Sequence, residues 1–188
     1  MQMNTLMFGD CLKMMDGIAD ESIDLVLADL PYQITQNKWD EIIPFEPLWK
    51  QYKRVLKKTG SLVFHAGQPF TSKLIMSNVD WFKYSLVWKK SRPTGFLDAN
   101  RKPLKEHEDI CVFSPNGYTT YNPQGVVEYG KVNKRGKTGD NFGDAKSNEY
   151  IQKKTNYPRS VLTFASESNT LHPTQKPLAL TEYLILTY

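Results

Sequence analysis

The chain contains few of the features that mark secreted, membrane or zinc-binding proteins. Its two cysteines, Cys11 and Cys111, form no Cys-x-x-Cys pair, so we predict no metal site and a reducing environment. No apolar run approaches the roughly 20 residues of a membrane-spanning helix. The first residues, Met1-Gln2-Met3-Asn4, lack the charged-then-apolar pattern of a signal peptide. We therefore expect a cytoplasmic protein that does not contact a membrane.

The positive charge of the chain is concentrated in one region. The net charge of the 188 residues is +4 at pH 7. Residues 114–165 hold eight Lys and Arg against four Asp and Glu, while the remainder holds 16 of each. This local excess favours a polyanionic partner, although ordinary lysines on a solvated loop would give the same count. The length and the 40% of hydrophobic residues suit one domain with a real core.

The hydrophobic pattern predicts strands that alternate with helices. Alternating or compact apolar runs predict strands, and apolar spacings of three and four predict helices. The predicted strands are 5–8, 23–28, 61–66, 82–89 and 110–113, and the predicted helices lie around 11–15, from 45 to a stop at Gly60, from Pro69 onward, and at 178–188. This order indicates a parallel-rich α/β sheet, in which the last two strands have no helix between them.

The most informative motif is Asp29-Leu30-Pro31-Tyr32, which directly follows the predicted strand 23–28. In open α/β sheets, ligands bind beyond the carboxyl ends of strands. A carboxylate, a kinked backbone and an aromatic ring at that point suit methyl transfer to the exocyclic amino group of a nucleobase. Acceptors for its two N–H bonds would draw the nitrogen lone pair out of the ring. Without other motifs, a proline turn after a strand would be the ordinary interpretation.

A second motif, His172-Pro173-Thr174-Gln175-Lys176-Pro177, leads into the last apolar helix. Together the two motifs resemble those of the amino-group DNA methyltransferases, Asp/Asn/Ser-Pro-Pro-Tyr/Phe and His-Pro-Thr-x-Lys-Pro. Their order, with a variable region between them, resembles the β-type arrangement of that family. Leu30 stands where the family usually has its first proline. A backbone carbonyl is still present there, although the backbone of Leu30 is less restricted.

The resemblance implies a fold, an activity and partners. The fold would be a Rossmann-like S-adenosylmethionine-dependent methyltransferase sheet, incomplete here, with a loop-rich inserted recognition region. Residues 1–113 would form the catalytic core, 114–165 the DNA-recognition insert, and 166–188 the cofactor-side return. The reaction would methylate adenine N6 in double-stranded DNA. Cytosine N4 is the next alternative, followed by a truncated non-catalytic DNA-binding remnant and by an RNA or protein-glutamine methyltransferase; a homodimer is left open.

The resemblance extends weakly to Gly9-Asp10-Cys11 and to Trp88-Lys89-Lys90 with His107-Glu108. It also implies roles for individual residues. We interpret His107 itself as a surface histidine. The expected catalytic residues are Asp29, Leu30, Pro31 and Tyr32. The expected cofactor-binding residues are Asp10, Cys11, Asp29, His172, Thr174 and Lys176. The expected DNA-binding residues are Lys131, Lys134, Arg135, Lys137, Lys153, Lys154 and Arg159.

Several motifs are missing. No Gly-x-Gly occurs, whereas the family has a glycine-rich cofactor loop that would follow Tyr188. The strand carrying that loop would pair beside the Asp29 strand, so we expect the Asp29 strand to form an open edge. No Pro-Cys dipeptide occurs, which disfavours a ring-carbon cytosine methyltransferase with a cysteine nucleophile. Gly-x-Ser-x-Gly and a correctly spaced phosphate loop are also absent.

Overall fold

The computed structural model describes residues 4–33, 37, 40–117, 120–134, 149–168, 170–172 and 174–188. Within these residues the helices are α1 (Cys11–Met15), α2 (Phe45–Val55), α3 (Phe70–Ser77) and α4 (Leu178–Thr187). The strands are β1 (Ile23–Asp29), β2 (Leu56–Ala66), β3 (Phe82–Thr94), β4 (Lys105–Phe113), β5 (Val127–Lys134), β6 (Glu149–Thr155) and β7 (Val161–Thr163). Strands and helices thus alternate through the first half of the chain, as predicted.

The main sheet has the strand order β1-β2-β4-β3-β7. β1 is parallel to β2 and β3 is parallel to β7, whereas β4 is antiparallel to both of its neighbours. Four of the five strands therefore run in one direction, which confirms the predicted parallel-rich α/β sheet. β4 is reversed because residues 95–104, which connect it to β3, contain only a short 3-10 turn and no crossover helix.

Helices cover both faces of this sheet. Leu62 and Phe64 of β2 pack in the cluster that α1, α2 and α3 complete, whereas Val63 between them packs with Leu180 and Leu184 of α4. The alternation follows from the period of two along a strand. β2 is thereby fixed from both sides, and its carboxyl end forms part of a rigid rim. None of the described helices has the length and apolar character needed to cross a bilayer.

β1 lies at one edge of the sheet, and among the described strands only β2 pairs with it. Leu25 and Leu27 pack on the α4 side, while Val26 and Ala28 pack on the opposite side. These four side chains are only half-buried, in contrast to the fully buried residues 60–66 of β2. The strand that ends in the tetrapeptide is therefore an open edge, as expected from the sequence.

A second compact unit comprises Pro123–Arg159. Its strands β5 and β6 form an antiparallel two-stranded ribbon. Large side chains such as Val132, Tyr150 and Ile151 are about half exposed or more. This unit is shorter than the region 114–165 that the sequence assigned to the insert, because β7 pairs with β3 in the main sheet.

Two predicted features are wrong. Residues 5–8 form no strand, and the side chains of Leu6 and Phe8 are almost fully exposed. An apolar run becomes a strand only where a neighbouring strand supplies hydrogen-bond partners. Gly60 does not end α2, because that helix stops at Val55 and β2 begins at once. Gly60 instead lies inside β2 at a point of close contact.

We predict that Gly60→Ala destabilises the fold. A Cβ at position 60 would lie 2.8 Å from Cγ of the buried Leu56 and 2.9 Å from the backbone oxygen of Asp24. Such overpacking costs about 1–3 kcal/mol. Urea unfolding measures this loss. Gly117→Ala is the control, because nothing lies within 4 Å of a Cβ there; equal stability of the two variants would contradict the prediction.

Candidate active site

The carboxylate of Asp29 is held at the end of β1 by two hydrogen bonds. The hydroxyl of Tyr32 donates to its Oδ1 at 2.8 Å, and Nζ of Lys176 donates to its Oδ2 at 2.7 Å. The side chain of Lys176 is 13% exposed, whereas that of Asp29 is 37% exposed. Since a carboxylate oxygen can accept more than one hydrogen bond, both oxygens remain able to receive a further donor. The structure therefore brings together the two predicted motifs.

The turn after Pro31 is fixed by Asp40, a residue that the sequence analysis did not identify. Oδ1 of Asp40 accepts hydrogen bonds from the backbone N–H groups of Tyr32 and Gln33, each at 2.8 Å. Asp40 is buried, and Gln33 has a positive φ of 59°. A buried carboxylate bonded to two backbone donors is costly to remove. It holds the left-handed turn that positions the Tyr32 ring.

The aromatic ring of Tyr32 is covered on one face. It stacks on Phe70 of α3, with 5.0 Å between the ring centroids and an interplanar angle of 18°. Burial, followed by the negative charge of Asp29, raises the pKa of the Tyr32 hydroxyl. The phenol therefore stays protonated and acts as a hydrogen-bond donor. Nζ of Lys176 also lies over the ring, 5.9 Å from its centroid, so a planar ligand could stack only on the part of the ring that Phe70 and this ammonium leave open.

A chain of alternating charges runs from β3 to Asp29. Nζ of Lys90 lies 2.5 Å from Oε1 of Glu108, and Nζ of Lys176 lies 3.5 Å from Oε2 of the same carboxylate. Burial by itself would raise the pKa of Glu108, but Lys176 and Lys90 outweigh it and hold this pKa below its ordinary value. Oε2 of Glu108 is buried and has no hydrogen-bond partner among the described residues. Nζ of Lys176, at 3.5 Å, is the cation that faces this oxygen.

These side chains line a cavity of about 760 Å³, a volume ordinary for a small-ligand site. All four predicted catalytic residues line it, and so do four of the six predicted cofactor residues. From the motif segments the lining includes Asp29, Leu30, Pro31, Tyr32, His172, Thr174 and Lys176; from elsewhere it includes Asp40, Trp88, Lys90, Arg92, Thr94, Glu108 and Glu167. Among the described residues no cluster of His, Cys, Asp or Glu could hold a metal ion.

The other predicted site residues lie elsewhere. Asp10 and Cys11 are not among the described residues that line the cavity, and the carboxylate of Asp10 caps α1 by accepting from the N–H of Leu12. Their assignment to the cofactor stays a prediction. The predicted DNA-binding residues belong to the second unit, where Arg135 and Lys137 fall outside the described residues.

Sequence reasoning missed Asp40 and gave no role to Lys90 or Glu108. A sequence signal existed for the last two, because the segments that contain them resemble family segments. No such signal existed for Asp40, whose importance depends on the path of the chain.

His65 lies beneath the site, opposite Asp29 in the pairing of β1 with β2. Its side chain is buried, and its Nδ1 has no hydrogen-bond partner among the described residues. Burial, followed by the positive charge of Lys176, lowers the pKa of His65 to about 4, although Asp29 and Glu108 act in the opposite direction. The imidazole is therefore neutral at pH 7, and its protonation would place a second cation below the site.

We predict that His65 makes the fold less stable as the pH falls from 6.5 to about 4. In this window the unfolded chain binds a proton at position 65 and the folded chain does not, because the pKa falls from 6.5 to about 4 on folding. The loss in free energy of unfolding approaches roughly 3 kcal/mol. Urea unfolding of the wild type and of His65→Gln across this range should show a flatter profile for the variant. His107→Gln, at an exposed histidine, should retain the wild-type slope; an unchanged slope in His65→Gln refutes this explanation.

Comparison with known proteins decides the family. A family model described as DNA methylase matches residues 23–188, which include Asp29, Tyr32, Glu108 and Lys176. The chain belongs to this DNA methylase family. The methylase chain is 30% identical over 210 aligned residues to the type II methyltransferase M.BglII of Bacillus subtilis, covering 98% of this chain and 56% of that protein. It is 28% identical over 202 residues to the DNA adenine methyltransferase YhdJ of Escherichia coli (strain K12), covering 97% and 66%.

The fold of this DNA methylase chain also matches a solved structure. The PvuII DNA methyltransferase, which is cytosine-N4-specific, superposes with a TM-score of 0.63 at 16% identity, covering 95% of this chain and 68% of that one. This similarity confirms the methyltransferase-like α/β fold expected from the sequence. The chain spans about half the length of M.BglII, at 56%.

Proposed function

We propose that this DNA methylase chain forms the base-binding part of an enzyme that transfers a methyl group from S-adenosylmethionine to N6 of adenine in DNA. One observation carries the proposal. The carboxylate of Asp29 is partly exposed and is bonded by the hydroxyl of Tyr32, whose ring packs on Phe70, and both residues line an open cavity. A residue kept only for folding would not need a half-exposed carboxylate between a phenol and a lysine.

The residues of the site suit an amino-group acceptor. Asp29 can accept one N–H of the base, and the carbonyl of Leu30, another lining residue, can accept the second. Both contacts would draw the lone pair onto the nitrogen, which makes it a better nucleophile. Tyr32 offers one ring face for stacking and keeps Asp29 oriented through its hydroxyl. Positioning and fixed charges of this kind supply much of the acceleration in many enzymes.

The cavity also suits the cofactor. S-adenosylmethionine supplies a methyl group on a positively charged sulfur and carries an ammonium and a carboxylate. Glu108 lines the cavity and provides a carboxylate that could attract the positively charged groups of the cofactor. Lys176 provides a cation in the same lining, and Asp29 provides a second carboxylate. His172 and Thr174 line the same wall, where the side-chain hydroxyl of Thr174 lies 3.0 Å from Nδ1 of His172.

The ribbon of β5 and β6 supports a DNA substrate. A two-stranded ribbon fits the major groove of B-DNA, which has phosphates on both walls. Lys131 pairs with Gln152 and shares its face, so the neighbouring Lys153 lies on the opposite face. Lys134 is paired with Glu149 at 2.9 Å. Among the described residues, Lys131 and Lys153 form no ion pair and are exposed, so a cation on each face is available for phosphate.

The choice of adenine is favoured by YhdJ, an adenine methyltransferase by name that is similar to nearly the whole chain. Cytosine N4 is the second candidate, since the superposed PvuII enzyme is specific for it at only 16% identity. Mass spectrometry of nucleosides from methylated DNA distinguishes N6-methyladenine from N4-methylcytosine. We also propose a cytoplasmic location, where DNA of a bacterial cell would be accessible; the homodimer stays a prediction.

We predict that Asp29→Ala lowers methyl transfer by roughly 10²–10³-fold or more, because it removes an acceptor aimed at the reacting nitrogen. Transfer of a labelled methyl group from S-adenosylmethionine to DNA measures the effect. Binding to DNA should change little. Asp24→Ala is the matched control, because Asp24 lies on the same strand and also pairs with a lysine, Lys57, at 2.7 Å.

Two results would count against this assignment. Retained turnover in Asp29→Ala would remove Asp29 from the reaction. Wild-type protein that binds DNA but neither binds S-adenosylhomocysteine in calorimetry nor transfers a methyl group would favour the non-catalytic remnant.

We also predict that Lys131→Ala combined with Lys153→Ala makes DNA binding less dependent on salt. Each lysine that meets a phosphate releases counterions, so the slope of log affinity against log salt should become shallower by about two. Fluorescence anisotropy on a labelled duplex between 50 and roughly 200 mM salt would show this. Lys50→Ala with Lys53→Ala removes two exposed lysines of α2 and should leave the slope unchanged. Identical slopes for both double variants would exclude the ribbon from phosphate contact.

A further inference from the structure

The connection between β3 and β4 presents two large apolar side chains to solvent. Phe96 is 67% exposed and Leu97 is fully exposed. They occupy the 3-10 turn Phe96–Asp98, which begins directly after Gly95. Exposing such a pair side by side sacrifices the burial free energy that each would gain in a core. Neither side chain contributes to the two core clusters of the main sheet, so folding of this unit does not account for them.

This turn lies beside the mouth of the active site. β3 runs in the same direction as β1, so Thr94 at its end lies on the same rim as Asp29. Thr94 and Arg92 both line the cavity. Phe96 follows Thr94 by two residues, and consecutive Cα atoms are about 3.8 Å apart, so its backbone is within about 8 Å of a lining residue.

The surroundings of the turn are basic. Arg92, Arg101 and Lys102 are exposed in the segment 91–104, where Asp98 is the single acid. Nζ of Lys102 lies 3.0 Å from Oδ2 of Asp98. That contact occupies the acid and leaves the two arginines to set the local charge. Positive charge beside the exposed side chains of Phe96 and Leu97 suits a nucleic acid, whose phosphates surround stacked apolar bases.

The turn is held in one conformation. Gly95 has a φ of 94°, a left-handed conformation that glycine adopts without strain. The backbone N–H groups of Arg101 and Lys102 both donate to the carbonyl of Asp98, at 2.8 and 3.1 Å. These hydrogen bonds close the turn that directly follows Phe96 and Leu97. Phe96 and Leu97 are therefore presented on a fixed turn.

We propose that Phe96 and Leu97 form a wedge that enters the DNA duplex and fills the space left when the target base moves into the cavity. This inference rests on the proposed function, because a base inside a duplex cannot reach Asp29 unless it leaves the stack. Removal of a base from the stack opens a gap between its neighbours. Apolar side chains such as Phe and Leu occupy gaps of this kind in bent or unstacked DNA. The wedge stabilises the extruded state, while lysines and arginines hold the backbone.

The test compares Phe96→Ser combined with Leu97→Ser against Met76→Ser combined with Val79→Ser. The second pair is the matched control, because Met76 and Val79 are also exposed apolar side chains, at 74% and 56%, and lie outside the cavity lining. The target sequence is first identified by sequencing the methylated positions in DNA treated with the wild-type protein. Duplexes then carry the fluorescent base 2-aminopurine at the target adenine, or beside the target if it is cytosine. Circular dichroism confirms that both variants are folded.

We expect the wedge variant to shift the extrusion equilibrium at saturating protein by roughly tenfold toward the stacked base. Its affinity for a duplex without the target should stay within about twofold of the wild type, because phosphate contacts are retained. A mismatch opposite the target should restore the fluorescence, because a mismatched base costs less to extrude. The control variant should behave as the wild type does on every duplex.

Three results overturn the wedge: unchanged extrusion in the wedge variant, equal losses on target and non-target duplexes, or no recovery with the mismatch. A wild-type protein that methylates no DNA refutes the proposed function, and the wedge with it. Methylation by the wild type together with normal extrusion by the wedge variant refutes the wedge alone.

Discussion

The ion pair between Lys176 and Asp29 is the contact on which the site depends. It joins residues 147 positions apart in the sequence, and so fixes the segment before α4 to the end of β1. Lys176 also faces Glu108, so a single ammonium lies between two carboxylates. Because Lys176 is largely buried, removing its carboxylate partners would leave its charge uncompensated, which costs more than losing a fully exposed pair. Without Lys176, the carboxylates would repel each other across the cavity.

The neutral state of His65 also depends on burial and on the charges of Lys176, Asp29 and Glu108. Its imidazole is buried under the rim, in a position where a proton would add positive charge near Lys176. The carboxylates and ammonium groups of the site therefore line the cavity wall, and the uncharged imidazole of His65 lies beneath them. Asp40 holds the turn after Pro31 by accepting hydrogen bonds from two backbone N–H groups. The residues around the motif therefore determine where each charge of the site lies.

Local patterns predicted what depends on local sequence. Apolar periodicity located β1, and the positions of Asp29 and Lys176 followed from two short motifs. The failures have a tertiary cause. Residues 5–8 have the composition of a strand but no pairing partner, and Gly60 is required by the close approach of Leu56 rather than by a helix end. Asp40 could not be found in advance, since its role depends on how the chain returns to the turn.

Contact with an amino group and discrimination between a purine and a pyrimidine depend on different parts of the site. In the proposed reaction, Asp29 and the Leu30 carbonyl would contact only an amino group, which adenine and cytosine share. The stacking face of Tyr32 cannot separate them either, because every base has a flat surface and Phe70 already occupies the other side of the ring. Discrimination between a purine and a pyrimidine must therefore come from the width of the cavity and from its other walls. Trp88 and Glu108 line those walls, so in the proposed enzyme the choice of base would depend on β3 and β4, while the chemistry would depend on β1.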